Sequence, residues 1–302
     1  MKWDQALRLI HKLREEPVEA PFAATRARNG HVAGPRSLRA ASLCIASGKG
    51  GTGKSVVAAS LARLFGTRGR TLLVDADMGV GNAHILQDVT PRNSFVGVVQ
   101  GRCGVEETIV PCAPGLDLIS AGSGVSRMAG LSSYEMHLIA TGLEALDGRY
   151  DYTIGDSAAG ISEQTVSFAV ACDIVLVVTT PDPTAMTDAY AFIKVLLQRR
   201  PDARCLLVVN RVLDEEQGAS VAERIGGVCL KFLAAQPRWI GSVPDDRSML
   251  ESVSARQPVV AHEPGSPPAL ALHALSVPLV AELDHVAHGG LGASLLRTVD
   301  FA

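Results

Sequence analysis

The chain has 302 residues, 47% of them hydrophobic, which is enough for one large α/β domain or two small ones with a sizeable core. Its net charge of -3 gives no general reason to expect nucleic-acid binding, so we expect no sequence-specific nucleic acid as a partner. Six cysteines lie scattered singly, and no apolar run approaches the roughly 20 residues of a membrane span, so the sequence predicts a cytoplasmic protein.

The first 40 residues predict an amphipathic helix followed by a linker. Apolar residues recur at helical spacing from Trp3 to Leu13, and residues 17–39 are rich in Pro, Ala, Gly and Arg. This segment holds eight basic and four acidic residues, a net charge of +4 ahead of an acidic body. Such an arm favours partner binding; the alternative is a terminus that nothing holds.

A glycine-rich loop then separates a strand-like run, residues 42–46, from a helical pattern over residues 54–65. The loop, ASGKGGTGKS, has the strand–loop–helix context of a P-loop. In that interpretation Lys54 meets the terminal phosphates and Ser55 ligates Mg²⁺. The backbone that cradles the phosphates is supplied by Gly48, Gly50, Gly51, Thr52 and Gly53. The alternative, a flexible Gly/Ser loop, rarely shows the full pattern in this context.

Further strand-like runs alternate with helical segments along the rest of the chain. They cover residues 71–75, 116–121, 152–156, 174–179, 205–210 and 239–243. This alternation predicts an α/β fold with a doubly wound, mainly parallel sheet flanked by helices, and with ligand at the carboxyl ends of the strands. We expect three parts: the arm (1–40), a P-loop domain (41–285) and a C-terminal tail (286–302).

Three aspartates follow predicted strands and point to phosphate chemistry. Asp75 and Asp77 close the second strand, where one carboxylate suits the magnesium shell and the other the orientation of a water. Asp156 ends the 152–156 strand at the place of a Walker-B carboxylate. The alternative for Asp75 and Asp77 is an ordinary Asp/Gly turn. Gly155, inside a strand, has no explanation from the sequence.

Together these segments resemble the MinD/ParA class of P-loop ATPases. Lys49 gives the loop the deviant Walker A form K-G-G-x-G-K-S, and the runs DADMGVGN and DSAAGIS are similar to the two switch regions of the class. Within the class, the runs at residues 120–132 and 179–190 resemble the flagellar-number regulators, FlhG/FleN.

The resemblance implies site residues and a reaction. ATP would drive a face-to-face homodimer in which Lys49 reaches the phosphates of the partner subunit, while Asp77 acts on the attacking water. Asp75 and Asp156 would join Ser55 in the magnesium shell. The adenine edge would be formed by Asn210, Arg211, Pro244 and Asp245. The cofactors expected are therefore ATP and Mg²⁺.

The same resemblance implies a dimer-dependent ATPase switch for flagellar placement or number. Its N-terminal helix would bind a signal-recognition-particle-type GTPase, because Asp4-Gln5-Ala6 matches the start of the family pattern. Two alternatives stay open. One is a MinD-type division-site switch, held on the inner face of the membrane by the helix-like run 291–302, in which Arg297 is the one cation. The other is a ParA-type DNA- or cargo-positioning ATPase.

Overall fold

The computed structural model describes residues 39–79, 81–122, 130–286 and 288–300. Residues 299 and 300 are described by their backbone alone. The expected N-terminal helix and residues 17–38 of the linker lie outside the described residues. Residues 123–129, part of the run that resembles the flagellar regulators, also lie outside them.

The described residues form one eight-stranded sheet. Its order is β3-β4-β2-β5-β1-β6-β7-β8, and every neighbouring pair is parallel except β3 with β4. The strands are β1 (Ala41–Ser47), β2 (Thr71–Ala76), β3 (Ile109–Ala113), β4 (Leu116–Ile119), β5 (Tyr152–Ala159), β6 (Ile174–Thr179), β7 (Arg204–Val212) and β8 (Arg238–Pro244). This arrangement confirms the predicted doubly wound, mainly parallel sheet.

Strand β3 was not predicted from the sequence. It contains Pro111, none of its residues is fully buried, and it lies at the sheet edge, where proline is tolerated. The chain reverses into β4 at Gly115, whose φ of 73° is left-handed. A Cβ on Gly115 would lie 2.2 Å from the carbonyl oxygen of Gly66, so only glycine fits this approach.

Helices cover both faces of the sheet. They are α1 (Lys54–Gly66), α2 (Ala83–Leu86), α3 (Phe95–Val99), α4 (Ser133–Glu144), α5 (Glu163–Ala171), α6 (Pro183–Arg199), α7 (Glu215–Leu233), α8 (Arg247–Ser254), α9 (Val259–His262), α10 (Pro267–Asp284) and α11 (Leu291–Asp300). Two buried apolar clusters hold them there. One includes Phe192 of α6 and Ile225 of α7, and the other Phe65 of α1 and Leu272 of α10.

The C-terminal helix α11 packs against α4 and α5. Leu291 and Leu295 are buried in that contact, and a Cβ on Gly292 would lie 2.0 Å from the amide nitrogen of Glu144. The carboxylate of Asp147 accepts hydrogen bonds from the backbone N–H groups of Gly292 and Ala293, both at 3.3 Å. Burial raises the pKa of Asp147. The domain boundary at residue 285 stays a prediction. Among the described residues, no helix is both long and apolar enough to cross a membrane.

The structure explains Gly155. A Cβ at this position would lie 2.2 Å from Cε1 of Phe168, a side chain of α5. The aromatic ring therefore rests directly on the backbone of β5, one residue before Asp156. Glycine is required because the helix packs too closely for any side chain.

Candidate nucleotide-binding site

The glycine loop between β1 and α1 has the backbone conformation of an anion cradle. Gly51 and Gly53 adopt left-handed φ values of 83° and 84°, and α1 begins directly after Gly53, at Lys54. The positive end of the helix dipole therefore meets the loop. A Cβ on Gly48 would lie 2.0 Å from the carbonyl oxygen of Asp188, so the loop begins in close contact with α6.

Lys54 and Asp156 form a buried ion pair at the base of the loop. Lys54 Nζ lies 2.5 Å from Asp156 Oδ1 and 3.2 Å from Ser55 Oγ. The side chains of Lys54 and Asp156 are 7% and 1% exposed, so each charge depends on the other for its neutralisation. The structure thus brings together three of the predicted site residues.

Asp75 lies beside this pair. It is fully buried, and β2 and β5 place its Cα opposite that of Asp156. Burial, followed by the charge of Asp156, raises the pKa of Asp75 to about 8. Its carboxylate accepts hydrogen bonds from the N–H groups of Asp77 at 3.2 Å and Ala83 at 3.1 Å. A Cβ on Gly81 would lie 2.5 Å from Asp75 Oδ2, so glycine permits this close turn.

Asp77 follows Asp75 in the turn after β2. Its Oδ1 accepts a hydrogen bond from the N–H of Gly79 at 3.2 Å. Asp77 is partly exposed, whereas Asp75 is inaccessible to solvent. Of the two carboxylates, Asp77 is therefore the one that bulk water can reach.

Lys49 is held at the other end of the loop by residues at the start of α6. Its ammonium contacts Thr184 Oγ1 and lies 3.6 Å from Asp182 Oδ2, with 40% of the side chain exposed. Asp182 also caps α6 by accepting hydrogen bonds from the N–H groups of Thr184 and Ala185. The hydroxyl and N–H of Thr184 are the main reason that the pKa of Asp182 falls to about 2.

The predicted adenine edge divides into a buried and an exposed pair of contacts. Asn210 is 1% exposed and donates from Nδ2 to the Thr52 carbonyl oxygen at 2.8 Å. A Cβ on Gly53 would lie 2.3 Å from the same Nδ2, so the amide packs directly against the loop. Arg211, at φ 60°, places Nε 3.4 Å from Asp245 Oδ1.

Pro244 ends β8, and the N–H of the following Asp245 donates to the Val212 carbonyl oxygen at 2.8 Å. This contact joins the ends of β7 and β8. The four predicted edge residues therefore lie at the carboxyl ends of two neighbouring strands, as expected for a doubly wound sheet.

A cavity of about 340 Å³ opens between the loop and these strand ends. Its walls include predicted residues from Lys49 to Thr52, Arg211 and Asp245. Sequence reasoning did not assign the others to the site: Thr180, Pro181, Asp182, Ala185, Leu213 and Gln217. The first four lie within the run 179–190 that resembles the flagellar regulators, and Leu213 and Gln217 lie just beyond the end of β7, where such sheets bind ligands.

The site fits a nucleotide and Mg²⁺. Among the described residues, Asn210 Oδ1 and Thr52 Oγ1 are buried oxygens without a hydrogen-bond partner, which a ligand can supply. The cradle leaves a Cβ on Gly50 or Gly51 in open space, so the loop wall is free for phosphates. Ser55 and Asp156 supply the oxygen atoms that Mg²⁺ prefers.

Comparison with known proteins agrees with this geometry. Residues 43–259 match the family described as the CobQ/CobB/MinD/ParA nucleotide binding domain. The chain belongs to this family. It is 30% identical to the antiactivator FleN of Pseudomonas aeruginosa, over 78% of this chain and 84% of FleN. It is 32% identical to the flagellum site-determining protein YlxH of Helicobacter pylori, over 71% of this chain and 73% of YlxH.

Solved structures of the MinD/ParA family show the same fold. MinD of Pyrococcus horikoshii complexed with Mg-ADP superposes with a TM-score of 0.69 at 21% identity, covering 82% of this chain and all of that one. The family resemblance and its ATPase class, both predicted from the sequence, are confirmed. The roles of individual site residues stay predictions.

Proposed function

We propose that the chain is an ATP-dependent, dimerising switch that regulates flagellar number or placement through partner binding. The observation that carries this proposal is its similarity to FleN and YlxH over most of their length. The nucleotide site supports the switch, because a cavity opens at the carboxyl edge of the sheet between the first half of the glycine loop, Arg211 and Asp245.

The residues divide between binding and hydrolysis. The backbone from Gly48 to Gly53 cradles the phosphates, and Lys54 moves from Asp156 to the terminal phosphates. Ser55, Asp75 and Asp156 would hold Mg²⁺ or its water shell, and the ion would supply neutralisation of the developing phosphate charge. Asp77 orients the attacking water.

Lys49 makes hydrolysis conditional on the homodimer. Its side chain is 40% exposed, so we infer that its ammonium can reach a second subunit. A cation supplied across an interface stabilises the transferring phosphoryl group only when two subunits meet. In the isolated subunit, the Lys49 ammonium contacts Asp182 and Thr184.

The output of the switch would be the binding of other proteins. We infer that residues 1–16 bind a signal-recognition-particle-type flagellar GTPase. The chain would act in the cytoplasm, with peripheral contact to the inner face of the membrane as an alternative location. A pulldown with the N-terminal segment and a GTPase assay test the partner; absence of both binding and stimulation contradicts it.

The ATPase mechanism is tested by turnover of the wild type, Lys49→Ala and Asp77→Ala. We expect both variants to bind nucleotide and to lose turnover by a factor on the order of a hundred or more. Near-normal rates in both would exclude the assigned roles. The flagellar role is tested separately, by counting flagella in a deletion strain complemented with the wild type or with Lys49→Ala.

A MinD-type division-site role is the second candidate. The chain is 30% identical to the septum site-determining protein MinD of Synechocystis over 85% of that protein. This role requires ATP-dependent flotation with liposomes that disappears when residues 286–302 are removed. A ParA-type role instead requires a salt-sensitive mobility shift on plain DNA.

A further inference from the structure

The short helix α2 and the turn that carries Asp77 are tied together by one buried carboxylate. Asp75 accepts a hydrogen bond from the N–H of Asp77 at 3.2 Å. It accepts a second one from the N–H of Ala83, the first residue of α2, at 3.1 Å. Because both donors share this acceptor, a shift of α2 pulls on the carboxylate that also holds Asp77. The placement of α2 therefore bears on the placement of Asp77.

Side chains at both ends of α2 attach it to the rest of the domain. Gln87, which follows the helix, is 7% exposed and donates from Nε2 to the Ala59 carbonyl oxygen of α1 at 3.0 Å. This bond joins the end of α2 to the helix that begins at the glycine loop. At the start of α2, the half-buried His84 places Nδ1 3.5 Å from Oγ of Ser120, just beyond β4. Its contact joins α2 to the sheet.

Ser120 is a fixed point for His84 to hold. It is 2% exposed, and its carbonyl oxygen accepts a hydrogen bond from the N–H of Phe95, the first residue of α3, at 3.0 Å. Its Oγ accepts another from the N–H of Gly122 at 3.1 Å. Ser120 is thus bound through both its backbone and its side chain, so the chain beyond β4 offers His84 a rigid partner.

The direction of the contact between Ser120 and His84 follows from their surroundings. Because Gly122 donates to the Ser120 oxygen, the hydroxyl proton of Ser120 is available to a further acceptor. Burial lowers the pKa of His84 and so favours the neutral ring, whose Nδ1 can accept that proton. At 3.5 Å the hydrogen bond is weak, so its loss should change the orientation of α2 more than the stability of the fold.

We propose that His84 is a positioning residue for ATP hydrolysis, which holds α2 against Ser120 and thereby sets the carboxylate that carries Asp77. The inference rests on the proposed role of Asp77 in orienting the attacking water. A small misplacement of that water is costly for the rate of hydrolysis. The described residues that line the cavity do not include His84, so we expect nucleotide affinity to be independent of it.

Two other roles for His84 give different expectations. A side chain that only fills space would lower the melting temperature when it is removed, and an imidazole that itself transfers a proton could not be replaced by an amide. The amide oxygen of asparagine, in contrast, can accept the Ser120 proton in place of Nδ1. His84→Asn therefore separates a positioning role from proton transfer.

The first test measures kcat and KM for ATP hydrolysis by the full-length chain with Mg²⁺. We expect His84→Ala and Ser120→Ala each to lower kcat about tenfold, with KM and the melting temperature close to those of the wild type. The double variant should be no slower than the slower single one, because the two side chains act as a unit. His262→Ala, at an exposed histidine that ends α9, is the matched control and should keep the wild-type kcat. Additive losses, or a raised KM at unchanged kcat, overturn the proposal.

His84→Asn should recover kcat to within about threefold of the wild type, because the hydrogen bond to Ser120 is kept. A kcat as low as that of His84→Ala overturns the proposal. Asp77→Ala, measured alongside, separates two failures. If only Asp77→Ala loses turnover, the positioning role of His84 is wrong and the proposed function stands. If Asp77→Ala keeps turnover, the assigned role of Asp77 is wrong, and the inference about His84 is overturned with it.

The second test observes α2 itself, by amide hydrogen exchange of the peptide that contains Ala83. We expect exchange to become about tenfold faster in His84→Ala and in Ser120→Ala, and to stay at the wild-type rate in His84→Asn and His262→Ala. Peptides from α1 should exchange alike in all the variants, which controls for general unfolding. Wild-type exchange at Ala83 in His84→Ala overturns the proposal even where kcat falls.

Discussion

The two lysines of the glycine loop show how one loop can combine a fixed and an available cation. Lys54 is buried against Asp156, and both side chains are almost entirely shielded from water. Lys49, five residues earlier, is 40% exposed and contacts Asp182 and Thr184 at the surface. A buried ion pair strongly resists the loss of either partner, whereas an exposed pair contributes little to stability. We therefore expect the buried half of the loop to govern folding and nucleotide binding, and the exposed half to respond to another subunit.

Lys54→Ala should have the largest effect. It leaves Asp156 as a buried charge without its cation, which costs about 3 kcal/mol or more of the free energy of unfolding. It should also abolish nucleotide binding. Urea denaturation and calorimetric titration of ATP measure the two losses. Unchanged stability would mean that water reaches Asp156, and the contrast between the two lysines would then fail.

Lys49→Ala should separate turnover from stability. We expect turnover to fall on the order of a thousandfold, the scale of a cation supplied in trans, with ATP affinity and melting temperature close to those of the wild type. Steady-state hydrolysis, titration and thermal melting are compared on the same preparations. A large drop in melting temperature would place Lys49 in the structural half of the loop.

Gly155→Ala tests how tightly the buried half is packed. The new methyl group would meet the ring of Phe168, so we expect a loss of about 2 kcal/mol in the free energy of unfolding. Gly227→Ala is the control, because its methyl group would meet no atom of the described residues within 4 Å outside its own stretch of helix. Adding Phe168→Leu to Gly155→Ala should recover part of the loss; full stability in Gly155→Ala alone would contradict the contact.

Asp182→Ala should have a small effect on stability and a selective effect on turnover. Asp246 is its matched control, since each aspartate caps a helix through the N–H and hydroxyl of the residue two positions later. Both variants lose a cap and should melt a few degrees lower. Only Asp182→Ala removes a partner of Lys49, so only it should change turnover. Equal rates in the two variants would show that Asp182 is a cap alone.

The pH dependence of the stability that the Asp182 carboxylate contributes follows from its pKa. Because its pKa is lowered to about 2 in the folded chain, the carboxylate contributes its stabilisation above its unfolded pKa and loses it as the pH falls toward 2. The difference in the free energy of unfolding between Asp182→Ala and the wild type should therefore be constant across neutral pH. Urea denaturation at several pH values, with Asp246→Ala alongside, measures this difference.

The sequence by itself determined the features that depend on local pattern. The loop, the parallel strands and the aspartates Asp75 and Asp156 were predictable because strand and helix periodicity, and the spacing of glycine, lysine and serine, extend over a few residues. Asn210 and Asp245 were predicted only from the family resemblance, and parallel strands explain their position, because such strands place their carboxyl ends at one edge of the sheet.

Only the tertiary structure decided the contacts between distant segments. Asp182 and Thr184 contact Lys49 across more than 130 positions of the sequence. Phe168 on α5 packs against β5 and so accounts for glycine at position 155. Strand β3 was missed because its pattern is interrupted by Pro111, and it forms by pairing with β4. Likewise, the exposure of Val228 and Phe232 on α7 depends on which helix face the sheet covers. Such contacts are set by packing in three dimensions, which the local period of a sequence does not encode.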